Sequence, residues 1–166
     1  MPYLRFSPKA GHLIEPLLTI FCQGFDHDLM SNHLQVVSAT AAPKGTVTFS
    51  LTVPPTYGNR MGNLHGGAAA LIFDVCTTSA LAPIAKPGYW QYAGVTRQLS
   101  CSYLRPVPVG STVTVYAEVV HAGRRVATIK GEIRDKNGNV AVTCEHLKVS
   151  IDPVGGAAPP KVGGKL

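Results

Sequence analysis

Charge is scarce in this chain. Only 14% of its 166 residues are Asp, Glu, Lys or Arg, against 45% that are hydrophobic, which excludes a disordered polyelectrolyte and points to one compact domain with a sizeable core. Basic residues outnumber acidic ones, 15 to 9, for a formal charge of +6. They are scattered and never form a run, so a nucleic-acid patch is disfavoured and a small phosphorylated ligand is the expected anionic partner. There is no C-x-x-C: Cys22, Cys76, Cys101 and Cys144 lie far apart in apolar stretches and read as reduced core residues of an intracellular protein. No apolar window of bilayer-spanning length is expected, and the start lacks the apolar core of a secretory signal. A cytoplasmic location follows, although the acid-free start with Arg5 and Lys9 keeps a mitochondrial one open. The absence of G-x-S-x-G argues against a Ser-His-Asp hydrolase. No internal repeat is present.

What the chain does have is Gly62-Asn63-Leu64-His65-Gly66-Gly67 followed by an apolar run from Ala68 to Ala82, broken by a single carboxylate, Asp74. The run reads as a helix buried on nearly every side. Burying an ionised carboxylate without partners costs several kcal/mol, so Asp74 is paired, protonated or employed. The first amides of a helix have no internal acceptor. The glycines therefore make Gly66 N–H and its neighbour Gly67 a ready site for an oxyanion. Gly66 and Asp74 are eight residues apart, roughly 12 Å along a helix at about 1.5 Å per residue. One helix cannot bring both to one reacting atom, whereas two antiparallel copies can, which makes the site a property of a dimer.

The rest of the chain supplies the frame. Ile14 to about Met30 has helical apolar spacing. Asp26-His27-Asp28 with His33 carries metal-ligand side chains, but no second ligand cluster accompanies it, and a solvated helix end with no metal is expected. From Leu34 the period changes to two, giving strands Leu34–Ala41 and Thr46–Val53, the second with Val47, Phe49, Leu51 and Val53 on one face. Pro54 to Asn59 is a loop that brings Asn59 within reach of the helix start, where a plain turn role is the competing reading. Four more strands are predicted: Ala93–Leu104, Ser111–His121, Arg125–Arg134 and Val140–Ile151. The divisions are thus 1–33, an N-terminal segment with a helix; 34–151, the main domain; and 152–166, a Gly/Pro-rich tail expected to be disordered. An α+β fold follows, with an antiparallel sheet wrapped around a long central helix.

Asn59-x-x-Gly62-x-Leu64-His65-Gly66-Gly67, the helix with Asp74, Gly94-Val95-Thr96 and Tyr103-x-x-Pro106 together resemble the hotdog-fold acyl-CoA thioesterases of the phenylacetate-pathway and thioesterase-superfamily-member type. The resemblance covers about residues 34–151. It implies the hotdog fold and hydrolysis of an acyl-CoA thioester, with Asp74 as general base or nucleophile-orienting carboxylate. It also implies that Gly66 N–H polarises the carbonyl, that Asn59 and His65 help to hold it, and that Thr96 stands where relatives position water, often with serine. The chemistry agrees, because an amide at a helix start stabilises the charge that a thioester carbonyl gains on attack. Thr78, one turn beyond Asp74, can bond it or the water, or else its own helix carbonyl. No cofactor is implied. The partner is an acyl-CoA, and the assembly at least a homodimer, with a homotetramer in view. For the CoA phosphates the turn pair Arg124-Arg125 is the best candidate, Arg60 and Arg97 being weaker and ordinary solvated turn charges the competing reading. A hotdog dehydratase and a non-catalytic acyl-CoA or lipid-binding protein are the alternatives.

Overall fold

A computed structural model describes residues 25–153. Among them, six strands form one antiparallel sheet: β1 (Leu34–Thr40), β2 (Thr46–Thr52), β3 (Val95–Tyr103), β4 (Thr112–Ala122), β5 (Val126–Arg134) and β6 (Val140–Val149). Their spatial order is β1-β2-β4-β5-β6-β3. One long helix, α1 (Gly66–Ser79), packs on the inner face of this sheet. The alternation that predicted the strands is the cause of this packing. Val47, Phe49 and Leu51 of β2 and Val113, Val115 and Ala117 of β4 are buried on the helix side, and burying such side chains fully contributes about 1.5–3 kcal/mol each.

At β5 the sheet comes closest to the helix. A Cβ at Gly131 would stand 2.7 Å from the Phe73 ring and 3.0 Å from Thr77 Cγ2, so the missing side chain is what lets α1 approach. Gly94 works differently, with a φ of +65° and its α-carbon packed on Val149 O and the Trp90 ring. A side chain there would be both strained and blocked, and this residue launches β3.

The helix begins two residues before and ends three residues before the predicted run. His65 caps it, its Nδ1 accepting from Gly67 N–H at 3.0 Å. Pro83 limits it, because a proline has no N–H to donate to the carbonyl four residues back, that of Ser79, and a short 3-10 turn, Ala82–Ile84, follows. Burial on nearly every side is corrected as well. Ile72, Phe73, Cys76, Thr77 and Ser79 are wholly buried, whereas Gly67 is exposed and Ala70, Leu71 and Asp74 lie half-buried on the face the sheet leaves open. The expectation of no span-length window also needs correcting. Residues Gly66–Ile84 pass by length and composition, but the segment is the helix on which the sheet packs.

Cys76 and Cys144 are buried as expected, while Cys101 is only partly so; all three are free thiols. The predicted helix from Ile14 lies mostly outside the described residues, as do Cys22 and the tail beyond residue 153. Its described end is a helical turn with Leu29 and Met30 fully buried. There the Asp28 carboxylate accepts from Asn32, His33 and Tyr57, bonds that hold its pKa below the usual value, the Asn32 bond first among them.

Candidate active site

The start of α1 supplies donors. Gly66 N–H has no acceptor among the described residues, while Gly66 O accepts from the Tyr103 hydroxyl at 2.9 Å. The Gly67 amide is different, being taken by His65 Nδ1, so only Gly66 of the predicted pair turns a free amide outward. Because Nδ1 accepts, the neutral His65 ring carries its proton on Nε2. That N–H sits on an exposed side chain beside the free amide. Asn59 Oδ1 accepts from Met61 N–H and Asn63 N–H at 2.9 and 3.2 Å, which is the turn role that competed with carbonyl binding. The same residue nevertheless lines a groove of about 480 Å³ together with Gly66, Leu64 and Tyr103.

Two turns further along, Asp74 belongs to a second cavity, of about 250 Å³, lined by Thr78, Gly94, Thr96 and Lys148 among others. No residue lines both cavities. Thr96 donates its hydroxyl to Asp74 Oδ1 at 2.9 Å. Thr78 shows no bond to Asp74, and instead its Oγ1 accepts from the buried Lys148 ammonium at 2.8 Å; the helix back-bonds fall to the residues on either side, Thr77 to Phe73 O and Ser79 to Val75 O.

Thr96 reaches Asp74 only because β3 is irregular. Its register slips against β6 between Thr96 and Gln98, a bulge that places one extra residue, Arg97, in the strand. Gln98, Ser100 and Ser102 line a cavity on the outer face. Strict alternation would put Thr96 with them, and the bulge turns it inward.

Behind Asp74 stand two side chains that sequence reading missed, His146 and Lys148 of β6, 0% and 3% exposed. His146 Nε2 lies 2.9 Å from Thr96 Oγ1 and 3.6 Å from Asp74 Oδ1, and its Nδ1 is 2.6 Å from Thr77 Oγ1. Burial, and then the Lys148 charge, lower the His146 pKa to about 4 against the pull of Asp74. The ring is therefore neutral near pH 7, and its approach to Asp74 is not an ion pair. Burial likewise lowers Lys148 to about 8, with Asp74 opposing. The signal that could have found both was parity, since they share a face with Val142 and Cys144. The opposite face, Glu145, Leu147 and Val149, is no more polar, so neither face announced itself as the inner one.

The Arg124-Arg125 turn lines neither cavity. It does sit at the sheet end that carries Thr96, because Ala127, Lys148 and Thr96 form one cross-strand row. Adjacent strands are about 4.8 Å apart, which brings the turn within reach of a long ligand.

The defining pattern of the thioesterase superfamily matches residues 61–142, a span that includes Gly66, Asp74 and Thr96. A Caenorhabditis elegans protein provisionally named an esterase is 31% identical over 141 residues, 84% of this chain and 81% of that one. The chain belongs to the thioesterase superfamily. This thioesterase is also similar to acyl-coenzyme A thioesterase 13 of Mus musculus, 25% identical over 144 residues that cover 86% and 96% of the two chains. Among solved structures, zebra fish thioesterase superfamily member 2 superposes with a TM-score of 0.70 at 27% identity, covering 82% of this chain and 96% of that one. The thioesterase thus has the hotdog fold and is a thioester hydrolase.

Proposed function

We propose that the thioesterase hydrolyses acyl-CoA thioesters to a carboxylic acid and CoA, at a site shared between two copies of the chain. The observation that carries this reading is the partition of the machinery: the free Gly66 amide and the Asp74 carboxylate lie in separate cavities, eight residues apart on one unbroken helix. A second copy with its helix antiparallel sets the amide of one chain against the carboxylate of the other. The edge of the sheet supports such pairing. Among the described residues β3 has no neighbour on its free side, nearly all of it is exposed, and Val95 and Tyr103 are 51% and 55% accessible. An unpaired edge of nine residues is a template for another strand.

In this site Asp74 acts as the general base. Its Oδ1 is held by Thr96, which leaves Oδ2 to take a proton from water as the water oxygen attacks the thioester carbon. The carbonyl oxygen gains negative charge and receives Gly66 N–H and His65 Nε2–H from the other chain. One such donor is worth about 3–4 kcal/mol in the transition state. Collapse of the tetrahedral intermediate breaks the C–S bond, and the proton held by Asp74 passes to the departing sulfur. Thr96 has one proton, and it lies on Asp74, so its oxygen meets the water as an acceptor.

The CoA phosphates are met by Arg124 and Arg125 outside the cavities. An intracellular location goes with this reading, since the free thiols Cys76, Cys101 and Cys144 suit a reducing compartment. The test is thiol release from a panel of acyl-CoA esters, followed by subunit mixing. Asp74→Asn should lower kcat by about 10² or more with little change in KM. Mixing that variant with one carrying Gly66→Pro, which removes the amide, should restore activity in heterodimers. If mixed dimers form and stay inactive, the shared site is refuted, and wild-type protein that binds acyl-CoA without releasing thiol would make it a binding protein.

A further inference from the structure

A chain of three short polar contacts runs from the helix core to Asp74: Thr77 Oγ1 to His146 Nδ1 at 2.6 Å, His146 Nε2 to Thr96 Oγ1 at 2.9 Å, and Thr96 Oγ1 to Asp74 Oδ1 at 2.9 Å. Each hydroxyl has one proton to give, and a neutral imidazole has one N–H and one lone pair. Two arrangements give both ring nitrogens a partner. If the imidazole proton is on Nδ1, it goes to Thr77, and the bare Nε2 needs the proton of Thr96. Thr96 Oγ1 and the carboxylate oxygen then face each other at 2.9 Å with no proton between them. If the proton is on Nε2, Thr77 donates to Nδ1, Nε2–H donates to Thr96, and Thr96 donates to Asp74, so all three contacts are filled. The bond given up is that of the Thr77 hydroxyl to Phe73 O at 2.5 Å, but this oxygen is a neutral carbonyl that still accepts the helical amide of Thr77, whereas the first arrangement strips a hydrogen bond from a carboxylate.

We infer that His146 is a positioning residue, whose Nε2–H holds the Thr96 hydroxyl proton on Asp74 Oδ1 and thereby leaves Oδ2 aimed at water. The part played by Asp74 rests on the proposed hydrolysis; the proton arrangement does not. Lys148 and Asp74 are the charged groups facing the imidazole, and the low proton affinity that burial and Lys148 impose keeps a single N–H on the ring at neutral pH. Directionality follows, because a neutral ring that must donate at Nε2 accepts at Nδ1, and the buried end of the chain then fixes the exposed end.

Two measurements decide the matter. Long-range proton–nitrogen correlation spectra of histidine-labelled resting protein, with His146→Gln to identify the resonance, should show a protonated Nε2 and a bare Nδ1. The opposite tautomer overturns the inference whether or not the protein hydrolyses anything. In thiol-release kinetics, His146→Leu should lower kcat about tenfold with KM kept, whereas His146→Gln, which can still donate to Thr96, should retain most of the activity. In a Thr96→Val background His146→Leu should add no further loss. Multiplying losses, or a Gln variant as damaged as the Leu one, would refute the role. Should the Leu variant fail to fold, the Gln variant and the spectra still decide.

Discussion

Replacing Lys148 with methionine should make the protein more stable and its stability less dependent on alkaline pH. Lys148 is 3% exposed and among the described residues its ammonium bonds only Thr78, and burial lowers its pKa from 10.5 to about 8. At about 1.4 kcal/mol per tenfold change, that fall corresponds to about 3 kcal/mol against the charged form in the folded state. The sign is that of a depressed base. Below pH 8 both folded and unfolded chains hold the proton and the full penalty applies. Between pH 8 and 10.5 the folded chain releases it while the unfolded chain keeps it, so wild-type stability rises with pH. Methionine of similar length removes the penalty and forfeits a hydrogen bond worth about 1 kcal/mol, for a net gain of about 2 kcal/mol at pH 7, in line with other buried charges replaced by apolar residues. Urea unfolding of both proteins at equal concentration, at pH 7 and at pH 10, measures it. The difference between them cancels the titrating groups that Lys148 does not touch, and His146, which it does, is neutral across this range. It should favour the variant at pH 7 and shrink or reverse by pH 10. A variant weaker than wild type at pH 7, with a difference constant to pH 10, would show that the charge is fully compensated where it lies.

Two more outcomes follow from features on either side of the site. Gly131→Ala should destabilise the fold by about 1–3 kcal/mol in the same denaturation assay, because the new methyl group meets the Phe73 ring at 2.7 Å and helix and sheet must part to admit it. Replacing both Arg124 and Arg125 with glutamine should raise KM for acyl-CoA with kcat nearly kept, and added salt should weaken the wild type more than the variant; an unchanged KM at low salt would move the coenzyme elsewhere.

The parts of the fold that sequence alone made legible are those where one side chain has one environment. Val47, Phe49, Leu51 and Val53 alternate cleanly, and β2 follows to within a residue. The His-Gly-Gly lead-in marked the helix start because glycine beside a capping side chain has few other uses. Asp74 stood out as a charge in an apolar run, although its surroundings were misjudged: the helix has a face the sheet does not cover, and 47% of the Asp74 side chain is accessible there. His146 and Lys148 stayed hidden because a histidine and a lysine in a strand of mixed parity look like surface residues, and only the pairing with β3 and β5 turns them inward. Thr96 was identified by resemblance, since alternation alone would have assigned it to the wrong face.

The bulge that turns Thr96 inward matters beyond the site. The extra residue at Arg97 divides β3 into two reading frames, with Val95 and Thr96 in one and Gln98 to Tyr103 in the other. Pairing Arg97 into the ladder instead of bulging it would leave a strand of the same length and composition with the Thr96 hydroxyl on the outer surface, and the carboxylate would face a blank wall. A change invisible to composition, hydropathy or length would thus disarm the protein while leaving its architecture whole.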